Sequence, residues 1–158
     1  ATTRKPREGE KDGVNYFFVS KEEFENEIKN NEFLEWAKYS DNYYGTKKDF
    51  VLNSLKNGVS VILEIEAQGA KKVMREHPEC VSIFIMPPNM EELEKRLRGR
   101  KTESEDMILK RLNVVKSELE EAKNYKYIVI NDKVEKAFST LQEIYEKERM
   151  IWKTSLLA

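Results

Sequence analysis

The chain has 158 residues, 36% of them charged, and a net charge of −1 at pH 7. That length fits one domain, or one core with an inserted lobe, and is enough to bury a sizeable core. The near-neutral balance argues against a general nucleic-acid binder, no apolar run approaches the ~18 residues of a membrane span, and the opening residues show no signal-peptide pattern.

In chain order, Arg4 and Arg7 flank Pro6, which stiffens the stretch between them. Aromatic and β-branched residues over Val14–Val19 predict a strand. Ser20, with Glu23 three residues on, reads as a capping box, and Phe24 and Ile28 mark one face of the short helix that follows. Phe33–Ser40 alternates apolar and polar residues like a half-exposed strand, and Asp41-Asn42 supplies turn chemistry. A second short helix over Phe50–Leu55 is closed by Asn57-Gly58.

From Val59 the character changes. Val59–Ile65 is a near-continuous apolar run, as expected of a buried parallel strand. A helix over Gln68–Glu76 leads to a second such run, Val81–Met86, and a helix over Asn89–Leu97 follows. The polar stretch Gly99–Asp106 precedes a long helix reaching Asn124. A third short strand, Tyr127–Ile130, precedes a final helix over Lys133–Trp152 with Val134, Phe138, Leu141, Ile144 and Tyr145 on its expected inner face. Strands alternating with helices imply a parallel α/β sheet, interrupted by the first 58 residues. Cys80 reads as a buried thiol and His77 as a surface residue; one cysteine and one histidine cannot build the usual zinc site.

Three groups of residues carry chemistry. Arg4, Arg7, Tyr16 and Tyr44 offer two guanidiniums and two phenol hydroxyls, a set that can surround one phosphate dianion. The bland alternative is a solvated basic loop beside packed strand tyrosines. Glu64 and Glu66 stand near the carboxyl end of the expected buried strand, where ligands bind in open α/β sheets. Carboxylates there are costly unless they meet a cation or a donor. Arg96 and Arg100 share a helix face, with Arg111 on the next helix; the alternative is a solvated charged helix pair, which suits Lys95, Arg98 and Lys110. Glu35 lies between apolar neighbours on its strand, where the common fate of a glutamate is exposure.

The opening run Thr2-Thr3-Arg4-Lys5-Pro6-Arg7-Glu8-Gly9-Glu10, continued by Gly13, Tyr16, Phe18 and Val19, resembles guanylate kinase, whose nucleoside-monophosphate-binding segment reads TTRxPRxGExxGxxYxFV. Further matches follow in the family's order: Phe33–Trp36, Asn42–Thr46, Leu63–Gly69, Ile85–Pro88, Arg96–Arg100 and Ile130–Asp132. The resemblance runs nearly end to end. It implies a P-loop nucleoside-monophosphate-kinase-like fold: a parallel sheet flanked by helices, an inserted mixed α+β GMP-binding lobe (residues 1–58), a core (59–98 and 112–158) and a helical lid (99–111). By resemblance, Arg4, Arg7, Tyr16 and Tyr44 hold the GMP phosphate, Glu35 accepts guanine N1–H and the amine, Thr46 donates to the guanine carbonyl, and Glu66 lies near the nucleoside. A carboxylate in that position discriminates against adenine, which disfavours adenylate kinase-like specificity. Glu64 would act near magnesium through water. The family usually carries aspartate at one or both of the positions held by Glu64 and Glu66; here both are glutamate, one methylene longer. Arg96, Arg100 and Arg111, assisted by Arg98 and Lys101, would reach the ATP phosphates and stabilise charge on the transferred group.

The resemblance therefore implies a cytoplasmic kinase with ATP as donor, magnesium as cofactor, GMP as substrate and GDP as product, and no nucleic-acid or membrane partner. None of the six glycines is followed by lysine, so the 158 residues contain no GxxxxGK[ST] loop. The expectation is a truncated chain that lacks the family's first, central strand, transfers phosphate poorly, and forms a homo-oligomer by filling the slot between the strands around Leu63 and Phe84. The competing class is an inactive guanylate kinase-like protein-interaction domain. The base- and phosphate-reading set Arg4, Arg7, Tyr16, Glu35, Tyr44 and Thr46 favours the enzyme.

Overall fold

The structure, a computed structural model, describes residues 1–39, 41–99 and 104–155, apart from the side chains of 116 and 153–155. It is an α/β chain with two compact units, Ala1–Cys80 and Val81–Ala158.

In the first unit the Ser20 hydroxyl accepts the Glu23 amide at 3.1 Å and opens helix α1 (Lys21–Lys29). This satisfies one of the amides that a helix start leaves unpaired. Strands β1 (Phe33–Tyr39) and β2 (Asn42–Lys47) form an antiparallel hairpin whose register shifts between Phe33 and Glu35. That irregularity breaks the strict alternation of faces. Phe33, Leu34 and Glu35 are consequently all buried in succession, so Glu35 is an interior residue. Phe24 stacks on Phe33 and Tyr43, with ring centroids 4.4 and 5.2 Å apart. The backbone of β2 comes so close that a Cβ on Gly45 would lie 2.8 Å from Phe33 Cδ1.

The strand expected over Val14–Val19 does not form. Gly13 donates to the Tyr16 carbonyl at 2.8 Å, and the Asp12 carboxylate accepts the Phe18 amide at 2.8 Å. Local turn chemistry thus overrides aromatic propensity, and Val14 is left 77% exposed. What remains is a set of bridges around Thr2, which is fully buried. Its amide donates to Phe17 O at 2.9 Å, its carbonyl accepts from Val19 at 3.0 Å, and the next amide, of Thr3, donates to Tyr43 O at 3.1 Å. The opening residues thereby lie between 17–19 and β2.

Helix α2 (Lys48–Lys56) ends as expected at Asn57-Gly58, with Gly58 at φ +74°, the left-handed conformation a helix C-terminus favours. The second correction concerns Val59–Ile65. Among the described residues no strand pairs with this run, and Val59 and Ile62 are 57% and 88% exposed. A near-continuous apolar run forms a buried strand only where neighbouring backbone supplies the ladder. The stretch leads directly into α3 (Ala67–Glu76), which packs on β1.

In the second unit β3 (Ile83–Met86) and β4 (Tyr127–Ile130) pair in parallel, Ile83 opposite Tyr127 and Met86 opposite Ile130. Between them run α4 (Met90–Gly99), α5 (Glu105–Glu121) and a 3-10 turn over Ala122–Asn124; α6 (Val134–Ser155) follows β4. Asn89 starts α4 by accepting the Glu92 amide at 2.8 Å. The core joins Val129, Ala137 and Ile144, with Val81, Ile83, Tyr127 and Leu141 packed around them.

The inner face of α6 matches the expected one only in part: Ile144 is buried and Leu141 packs on the core, but Val134, Phe138 and Tyr145 are exposed, and Ala137 and Glu148 are buried in their stead. Small Ala137 allows close approach to β4. Glu148 is tolerated inside because Tyr127 Oη donates to it at 2.5 Å and Lys126 Nζ at 2.8 Å.

Candidate functional site

The first unit gathers most of the residues singled out in the sequence. The bridges around Thr2 bring Arg4 to Tyr16 and Tyr44. The Arg4 guanidinium carbon lies 5.6 Å from the Tyr16 ring centroid, and the two tyrosine rings are 6.3 Å apart, edge to face. Arg4 is also held by Glu10, which sequence reasoning did not single out: the guanidinium donates to both Glu10 oxygens at 2.9 Å. Glu10 further accepts the backbone amide of Arg7 at 2.6 Å. Its carboxyl is held below the usual range, first by the Arg4 hydrogen bonds and then by the Arg7 amide. Arg4 is correspondingly raised, first by Glu10 and in smaller part by Tyr44. The Arg7 residue is exposed. The signal for Glu10 was present in the GE pair of the opening motif, which places a carboxylate six residues after Arg4.

The second group centres on Glu35, only 5% exposed. Thr46, across the hairpin, donates its hydroxyl to Glu35 Oε1 at 2.6 Å. A buried carboxylate needs such donors, because desolvation without a partner is costly. Gly69, in the first turn of α3, lies against the carboxylate's other side. Glu66 forms the N-cap of the same helix but makes no side-chain cap bond. Glu64 and Glu66 are both exposed. Among the described residues no cluster of three or more His, Cys, Asp or Glu side chains is placed to hold a metal ion. Two carboxylates nevertheless suit magnesium, a hard cation that takes one or two protein carboxylates and fills its remaining positions with water and phosphate oxygens.

The second unit holds the expected lid arginines. Arg96 on α4 is engaged through all three nitrogens: Nε donates to Glu92 at 2.8 Å, and the two terminal nitrogens donate to the carbonyls of Asn131 and Asp132 at 2.7 and 3.0 Å. It ties α4 to the loop after β4. Arg98 bonds Glu94 at 2.8 Å and grips both oxygens of Glu105, bridging the end of α4 to the start of α5. Arg111 is half-buried on α5, and Arg100 and Lys101 lie outside the described residues. Cys80 is partly buried and burial pushes its thiol up, away from a nucleophile's range. His77 lies 3.3 Å from Glu79 on the loop after α3.

Comparison with known proteins identifies the family. The guanylate kinase family model matches residues 1–148. The guanylate kinase of Halalkalibacterium halodurans is 51% identical over 97% of this chain and 78% of its own length. That of Caldanaerobacter subterraneus subsp. tengcongensis is 52% identical over 94% and 72%. The crystal structure of guanylate kinase from Anaplasma phagocytophilum superposes with a TM-score of 0.76 at 37% identity, covering 94% of this chain and 73% of the other. With a family model spanning nearly the whole sequence and relatives this similar, the chain belongs to the guanylate kinase family, whose members are nucleoside-monophosphate kinases.

Proposed function

We propose that GMP is the phosphoryl acceptor and ATP the donor. A GMP phosphate oxygen attacks the ATP γ-phosphorus, the bond from that phosphorus to the β-phosphate bridging oxygen breaks, and GDP and ADP result. The observation that carries this reading is the buried Glu35–Thr46 pair. A carboxylate excluded from water can accept guanine N1–H and the adjacent amine together, and adenine offers no such pair of donors. Thr46 turns its single hydroxyl proton from Glu35 to the guanine carbonyl when the base takes its place.

The phosphate end is served by Arg4, Tyr16 and Tyr44, with Arg7 swinging in from its exposed position. Glu66 contacts the nucleoside, and Glu64 holds magnesium through water. The ion would neutralise charge on the ATP phosphates. Arg96, Arg100 and Arg111 contact ATP, with Arg96 exchanging its carbonyl partners for phosphate oxygens. In this reading residues 1–58 act as the GMP lobe, 59–98 and 112–158 as the core, and 99–111 as the lid. The protein works in the cytoplasm; among the described residues no helix is long and apolar enough to cross a membrane. Exposed Val59 and Ile62 support self-association of the unpaired 59–66 stretch, and sedimentation showing a monomer at every concentration overturns that element.

The test is calorimetric titration with GMP, with AMP as control, on a polypeptide of these 158 residues. We expect GMP-selective binding, at least about 100-fold over AMP. Equal binding of the two nucleotides overturns the assignment of Glu35. Without a glycine-lysine loop to cradle ATP, the same polypeptide is expected to turn over slowly in a coupled assay with magnesium and ATP; near-normal turnover refutes this.

A further inference from the structure

We propose that Gly69 is a specificity-determining positioning residue: its missing side chain leaves the volume in which the Glu35 carboxylate is seated. The inference rests on the reading that Glu35 recognises guanine. Gly69 is buried in the first turn of α3, a helix packed on β1. A Cβ built there would lie 2.4 Å from Glu35 Oε2, 3.1 Å from Cδ and 3.3 Å from Cγ. The nearest of these is closer than real side chains tolerate, and all three atoms belong to one carboxylate arm.

The backbone conformation does not require glycine at this position. Its φ is not in the left-handed region, since the positive-φ glycines of the chain are Gly9, Gly13 and Gly58. Within a helix, glycine is less favourable than alanine by about 1 kcal/mol. The residue therefore weakens α3 locally and gives in return a seat for a charged group. Glu35 is clamped from two sides, with Oε1 bonded to Thr46 on β2 and Oε2 set against the bare Cα of Gly69. Two constraints on one carboxylate fix its plane. A carboxylate that reads two adjacent donors must present its oxygens in a fixed orientation, because hydrogen bonds weaken steeply with misalignment. Thr46 alone fixes one oxygen and leaves rotation about it free. Gly69 also stands three residues after Glu66, so the same helix start carries both the seat for the base reader and a residue assigned to the nucleoside.

The experiment compares GMP with IMP, which lacks the 2-amino group and so reports on the second of the two donors. Kd for each is measured by calorimetry for the unsubstituted chain and for Gly69→Ala, Glu35→Ala and the double variant Gly69→Ala/Glu35→Asp, alongside thermal midpoints. Gly69→Ala is expected to weaken GMP at least tenfold and to shrink the GMP-over-IMP preference, with the midpoint unchanged or raised. The shorter carboxylate in Gly69→Ala/Glu35→Asp withdraws from the new methyl group and is expected to recover part of the preference. Unchanged GMP affinity and preference in Gly69→Ala, while Glu35→Ala loses both, overturns the role of Gly69 and leaves the base reader standing. Preference unchanged in Glu35→Ala overturns the base reading itself. If Gly69→Ala fails to fold, the double variant decides: folding and GMP preference restored support the steric seat, and no recovery overturns it.

Discussion

Glu10 organises two arginines at once, gripping the Arg4 side chain and the Arg7 backbone amide. A guanidinium held by a bidentate carboxylate loses little further freedom when it meets a phosphate, so part of the ordering cost is met before binding. Glu10→Ala is accordingly expected to weaken GMP about tenfold while leaving guanosine, which has no phosphate, unchanged. Equal losses for the two ligands in parallel titrations contradict a phosphate-specific role. The same scale shows what sequence can and cannot announce. Arg4, Tyr16, Glu35, Tyr44 and Thr46 stood out as candidates because each lies in a motif that carries the family resemblance, and the structure brings Arg4 to the two tyrosines and Thr46 to Glu35. The burial of Glu35 was not, because it depends on the register shift between Phe33 and Glu35 rather than on the residue type.

At the scale of the element, α6 separates apolar character from burial. Its large residues Val134, Phe138 and Tyr145 are exposed, while small Ala137 and charged Glu148 face the sheet. Helical periodicity identifies stripes of residues, but which stripe meets β4 is set by how closely the helix can approach. Ala137→Leu is therefore expected to overpack the seam against Val129 and cost about 2 kcal/mol, whereas Phe138→Ala changes stability by no more than about 0.5 kcal/mol. Denaturant unfolding of the two variants checks this; the reverse order would restore the face expected from the sequence. Likewise the 14–19 run has the composition of a strand, but the Gly13 and Asp12 bonds close it into a turn before any ladder can form.

For the whole molecule, pH dependence tests the buried network of the second unit. Lys126 first, and Tyr127 second, hold the Glu148 carboxyl below its ordinary value of 4.5. A carboxyl depressed in the folded state binds protons less readily than in the unfolded chain, so its stabilisation is complete above the ordinary value and is lost as pH falls through the depressed one. Glu148→Gln should lower the thermal midpoint by a few degrees at about pH 7, and the gap to the unsubstituted chain should close below about pH 4. A gap that stays constant to about pH 3 shows that the effect is packing rather than charge.

The sequence alone determined the alternation of helices with apolar strand-length runs, the Ser20 cap and the Asn57-Gly58 stop, and through its resemblance to the family it named the candidates proposed to read base and phosphate. These follow from local chemistry: hydrogen-bond capping, left-handed backbone and side chains matched to phosphate and guanine. Only the tertiary structure decided which of them meet. The seating of Glu35 between Thr46 and Gly69, the engagement of Arg96 with the Asn131 and Asp132 carbonyls, and the lack of a strand ladder over residues 59–66 among the described residues all join positions distant in the chain or depend on backbone partners. Propensity and periodicity act over a few residues, whereas a close contact or a strand ladder requires a second segment, and its position is set by packing.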